Sequence, residues 1–207
     1  MLFRSGNAIT RNSMNEEIPV SENDFSICMR IQYGDFVYAT CGDLSGYEYS
    51  TVDKKTTFHD VESSVAPMMG EVDLLNVNHH GSKSSSNTKW CNTLKPTVSV
   101  IYCGGGTLPH TRPLKNLQAV KSQIYTTGST CNKDVISKYS GIIEMGDDVV
   151  IKYKYASTTF TVSNSAGKKL KTYNERFLWL WKVHTVIIHI IFRLRGIMQE
   201  NANLMPT

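Results

Sequence analysis

The stretch Val72–Ser86, reading VDLLNVNHHGSKSSS, restricts the folds open to this chain more than any other. Val72–Val77 is a short apolar run of the buried-strand type. It stops at His79-His80, and a Gly/Ser-rich turn follows. In an α/β arrangement that junction falls at the C-terminal end of a strand, where chemically active side chains gather on one rim.

The neighbouring segments carry matching signals. Ile27, Met29, Ile31 and Tyr33 alternate with polar or small residues, and Gly34-Asp35 turns the chain into Phe36–Cys41, which predicts a β-hairpin ending at Cys41-Gly42-Asp43. Residues 53–69 read as a helix with Phe58, Val61, Val65 and Met68 on one face and His59 within it. Ser84–Ser86 are positioned to cap a helix carrying Trp90 and Leu94, which Lys95-Pro96 stops. Strands are expected at Thr97–Tyr102 and Ile124–Thr127, with a helix opened by Pro113 between them. A hairpin pairing Gly141–Met145 with Val149–Tyr155 closes the series, and the order β-β-α-β-α-β-α-β-β-β defines an α/β protein.

At 207 residues and 41% hydrophobic, the chain can bury a substantial core. Its 22 basic and 18 acidic residues are scattered, so the net charge of +4 gives no ground for nucleic-acid binding. The five cysteines include no C-x-x-C pair, which argues against a zinc knuckle or a redox motif. Cys28 and Cys41 fall on neighbouring expected strands and could face each other.

Three segments organise the chain. Residues 1–22 are polar and aperiodic, a loop or the remnant of something larger; residues 23–155 carry the α/β pattern; residues 156–207 form a linker and an apolar segment. Within the last, Phe177–Leu194 reads FLWLWKVHTVIIHIIFRL, broken by Lys182, His184, His189 and Arg193. The readings open for it are an amphipathic or packed helix, a membrane span, and a tail foreign to the domain.

The candidate chemistry lies at expected strand ends and loops. Asp43 follows the hairpin, His79 and His80 follow the buried strand, and His110 ends the Gly104-Gly105-Gly106 loop. An Asp and a His held on one rim can ligate a borderline metal such as zinc. Each residue also has a plain reading: a turn aspartate, a solvated loop end, a surface histidine.

From NDFSICMRIQYGDFVYATCGDLSG through HDVESSVAPMMGEVDLLNVNHHGSKSSSNTKWCNTLKPTVSVIYCGGGTLPH, the chain resembles the C-terminal half of a metallo-β-lactamase-fold hydrolase. Within that superfamily it is most similar to the metallo-hydrolase domain of DNA-uptake competence proteins. The resemblance implies half of an αββα sandwich, a mixed sheet with helices on one face, followed by a C-terminal apolar helix. It implies a metal-dependent hydrolase cutting a phosphodiester or another ester or amide-type bond, with zinc as cofactor and two ions in a complete relative. Asp43 matches the bridging aspartate, and His79 or His80 the last histidine ligand, His79 being preferred because it comes first after the strand. His80 then stands behind the metal or faces substrate, and His110 matches a histidine near the substrate. The substrate implied includes nucleic acid.

The family's H-x-H-x-D-H string, which belongs to the N-terminal half, does not occur in this sequence. The expected active site is therefore incomplete, and a catalytically silent binding or structural module is the alternative. A half-sandwich would also leave one apolar sheet face uncovered. Self-association, a separate N-terminal half, or the Phe177–Leu194 helix are the expected covers.

Overall fold

The computed structural model of the chain describes residues 2–4, 21–50, 57–168, 171–175 and 187–192. Strand β1 (Leu2–Arg4) pairs antiparallel with β2 (Ile27–Tyr33), so the expected loop at residues 1–22 contains a sheet edge. The predicted hairpin follows, β2 turning into β3 (Phe36–Thr40) with Tyr33 opposite Phe36. Gly34, at φ +60°, supplies the positive φ that the first central position of a tight hairpin turn requires.

After the hairpin, β4 (Gly46–Ser50) and β5 (Thr57–Asp60) pair as a separate two-stranded ribbon. Of the helix expected over residues 53–69, Glu62–Met69 forms α1, whereas Thr57–Asp60 is a strand that carries His59, and residues 53–56 lie outside the described residues. Pairing with β4 settles the conformation of residues 57–60, since side-chain spacing alone fits either period over so short a run. Strand β6 (Leu74–Asn76) then leads to α2 (Thr88–Leu94) and β7 (Val98–Ile101). The cap of α2 is Asn87, whose side chain accepts from the Trp90 N–H, and not the preceding serines. Helix α3 (Thr111–Ala119) begins two residues before Pro113, followed by β8 (Gln123–Thr126), α4 (Lys133–Ile136) and β9 (Ile143–Glu144).

Strands β3, β6, β7, β8 and β9 run parallel, which with the antiparallel β1 and β2 gives a seven-stranded mixed sheet in the order β1-β2-β3-β6-β7-β8-β9. The expected hairpin around Gly146 does not form. Strand β9 stays at the edge of the large sheet, whereas β10 (Val149–Lys154) crosses into a second, antiparallel sheet with β11 (Thr159–Ser163), β12 (Lys171–Asn174) and β13 (Ile187–Phe192). Met145 and Val149 both enter the apolar layer between the sheets, so the chain turns a corner there.

Residue alternation along the parallel strands builds two cores. Val37, Ala39, Leu75, Ile101 and Ile124 face the helices, meeting Val65, Met69, Trp90, Leu94, Leu114 and Leu117. Phe36, Tyr38, Leu74, Val98, Val100 and Tyr125 face the other way, onto Ile151, Tyr153, Phe160 and Val162 of the second sheet. The face expected to stand uncovered is therefore closed by the chain's own strands. Burying each such side chain contributes about 1.5–3 kcal/mol, which accounts for the retention of β10 and β11 against it. Phe36 stacks on Tyr153 at 5.1 Å, and Phe160 on Tyr173 at 5.5 Å.

The C-terminal helix expectation is corrected in part. Ile187–Phe192 is a strand, registered against β10 from Ile187↔Lys154 to Phe192↔Val149. Its isoleucine-rich sequence suits a pleated surface once a sheet edge is offered. Residues 176–186 and 193–207 lie outside the described residues. Among the described residues no helix is long and apolar enough to cross a membrane. Among the described residues the architecture is mixed α/β, with four α-helices against one face of a mixed sheet and a second sheet against the other.

Candidate functional site

The C-terminal ends of β3, β6 and β7 bring Asp43, the His79-His80 turn and the His110 loop together. Backbone hydrogen bonds join the pieces: the His79 N–H donates to the Gly42 carbonyl at 2.9 Å, and the His110 N–H donates to the Gly81 carbonyl at 2.8 Å. The Lys83 N–H donates to His110 Nδ1 at 3.1 Å. Residues far apart in sequence thus share one rim.

The turn has an unusual backbone. His79 and His80 occupy the left-handed region at φ 48° and 53°, and Gly81 follows at φ +73°. Non-glycine residues there cost energy that surrounding contacts must offset. Gly81 has a second reason to lack a side chain, since a Cβ would lie 2.8 Å from the Pro109 Cβ. The approach of the Pro109-His110 loop to the histidine turn depends on that gap.

His80 is the imidazole nearest Asp43, with Nε2 at 3.6 Å from Oδ1. Its Nδ1 lies 2.9 Å from the Tyr102 carbonyl oxygen, which can only accept, so Nδ1 carries the proton and donates. In the neutral ring Nε2 then presents a lone pair toward the carboxylate. Both groups are partly open to solvent, at 37% and 43% exposure, so their attraction as an ion pair is weak. Two electron-rich atoms facing each other suit a shared proton or cation, and a backbone carbonyl behind the ring is the usual orienting partner of a ligating histidine.

His79 sits deeper. Its Nδ1 is 3.4 Å from Ser84 Oγ. Burial lowers its pKa below the ordinary histidine value; Asp43 opposes that shift, while His80 and His110 reinforce it. Burial also lowers His110, with Lys83 adding repulsion. Arg112 extends the basic side of the rim, donating to the Lys83 carbonyl at 3.2 Å and lying 4.1 Å over the Tyr47 ring.

The four sequence-derived candidates are therefore neighbours, with the closest contact to Asp43 made by His80 and not by His79. Among the described residues, no group of three or more His, Cys, Asp and Glu side chains is arranged to hold a metal ion. Asp43 and His80 provide two facing donors, short of the three protein ligands a catalytic zinc takes. The described residues alone do not fit a complete zinc site.

Sequence reasoning missed the supports. Glu62 is fully buried behind the turn and accepts hydrogen bonds from Asn78, Ser86 and Asn87. A disulfide joins Cys103 to Cys131 with Cα atoms 5.3 Å apart, tying the loop after β7 to the loop after β8. Cys28, Cys41 and Cys91 are free and buried. Cys28 and Cys41 do face each other: burial, and a hydrogen bond with Cys28, push the Cys41 thiol well up. Away from the rim, His59 Nδ1 meets Asp24 Oδ2 at 2.5 Å in the interior, which gives His59 a structural place. Neither a protein-family model nor a curated protein sequence matches this chain.

Proposed function

We propose that the rim formed by Asp43, His79, His80 and His110 is one part of a metal-dependent hydrolytic site of the metallo-β-lactamase type, acting on a phosphodiester or another ester or amide-type bond. The observation that supports this reading is the convergence of a carboxylate and an oriented imidazole, Asp43 Oδ1 and His80 Nε2, from separate strand ends. The layering of helices, mixed sheet and second sheet is compatible with half of an αββα sandwich or more. In this reading Asp43 and His80 hold the metal with His79 beside them, and His110, Lys83 and Arg112 attract the anionic part of a substrate. Further donors have to come from outside the described residues, so no reaction step is assigned through the metal.

A second reading is a catalytically silent binding or structural module, favoured by the shortage of donors among the described residues. Zinc stoichiometry by elemental analysis and hydrolysis of bis(p-nitrophenyl) phosphate separate the two. Bound zinc that is lost in both Asp43→Ala and His80→Ala, together with turnover, supports the hydrolase. A protein with neither metal nor turnover is the silent module.

A further inference from the structure

Glu62 stands in the first turn of α1 with none of its surface exposed. Its Oε1 accepts from the Asn78 side-chain amide at 2.8 Å and from the Ser86 N–H at 2.7 Å, and its Oε2 accepts from the Asn87 N–H at 2.7 Å. These donors bracket the histidine turn. Asn78 comes immediately before His79, and Ser86 and Asn87 close the segment onto the cap of α2.

The bracketed segment needs such ties. His79, His80 and Ser86 all have positive φ, and none is glycine. A segment of this kind relaxes unless its ends are held, because each left-handed residue favours another backbone region. A buried carboxylate is also a costly way to fill a core, and an apolar side chain of similar volume serves packing as well. Burial, the largest influence, pushes the Glu62 carboxyl up to about 7 against the three hydrogen bonds that favour its charged form. The chain bears this cost where the carboxylate gathers donors from both ends of the turn.

We infer that Glu62 is the positioning residue of the candidate site, fixing His79 and His80 in the left-handed turn so that they face Asp43 and His110. The inference rests on the proposed function for what the histidines do, but not for how they are held. The hydrogen bonds of Glu62 come from Asn78, Ser86 and Asn87, so its hold on the histidines runs through those residues.

The test compares Glu62→Gln with a core control, Val65→Ala, on the same helix. Glutamine cannot accept from Asn87 while its carbonyl serves Asn78 and Ser86, so one buried donor is left facing another. Hydrogen exchange of the Asn78–Asn87 amides should speed up about tenfold in Glu62→Gln, and the imidazole proton resonances of His79 and His80 should shift, with β7 amides unchanged. Val65→Ala should lower the melting temperature without moving those imidazole signals. Unchanged imidazole signals and turn exchange in Glu62→Gln overturn the inference. Should Glu62→Gln not fold, Asn78→Ala decides on the same two readouts, removing one tie and leaving the other two. Titration of the wild-type protein with cobalt(II) chloride addresses the metal reading separately: no binding counts against that reading, while exchange and imidazole spectra still decide the role of Glu62.

Discussion

Replacing Gly46 by alanine should destabilise this protein, although glycine-to-alanine changes at compatible backbone positions usually stabilise by about 0.4–1 kcal/mol. A Cβ at residue 46 would lie 1.9 Å from Glu62 Oε2, 2.6 Å from Glu62 Cδ and 3.0 Å from Asn87 Nδ2. To restore van der Waals contact the carboxylate must retreat by about 1.5 Å. That movement stretches the 2.7 Å bonds from Ser86 and Asn87 beyond hydrogen-bonding range. Leaving two buried donors and a buried carboxylate poorly satisfied costs about 3–5 kcal/mol in all. Urea unfolding at pH 8, followed by far-ultraviolet circular dichroism, measures the loss. In a double variant, Gly46→Ala with Glu62→Ala, the added methyl should cost much less than it does in the wild type, because the carboxylate that it overlaps has gone and only the 3.0 Å contact with Asn87 Nδ2 is left. A midpoint that stays level or rises in Gly46→Ala refutes the reasoning, as does strict additivity in the double variant.

Phe160→Ala removes a fully buried ring between the sheets, stacked on Tyr173 and edge-on to Phe36, and should cost about 3–5 kcal/mol in urea unfolding; a loss below about 1 kcal/mol would mean that the second sheet does not close that face. Glu175, only 9% exposed, is held up at about 7 mainly by burial, with Asp35 and Asp73 adding repulsion. Because its folded pKa exceeds the ordinary value of 4.5, its contribution is fully present below about pH 4.5 and is lost as pH rises through about 7. The urea midpoint should therefore fall between pH 5 and pH 8, and fall less in Glu175→Gln; parallel pH profiles for the two proteins would contradict this.

The candidate site was legible in sequence because its residues sit where strands end. A strand has a direct signature in short apolar runs, and its terminus fixes where the next residues emerge, so Asp43 and His79-His80 could be assigned to one rim. The choice between the two imidazoles was not legible. It depends on φ values near 50° at both histidines and on the carbonyl of Tyr102, which the sequence places twenty-two residues away. Glu62 was invisible for a related reason: a glutamate in an amphipathic helix reads as solvated, and only the packing of α1 against the turn shows it buried.

Local pattern by itself determined the hairpin, the buried strand, the helix carrying Trp90 and the α/β class, since each follows from the spacing of side chains along a few residues. Tertiary structure alone decided the rest. Strand β5 took residues 57–60 out of an expected helix because β4 was there to pair with it, and Ile187–Phe192 became a strand because β10 offered an open edge. The same long-range pairing closed the apolar face with β10 and β11. Backbone hydrogen bonds to a distant partner and the burial they permit are absent from any short window of sequence.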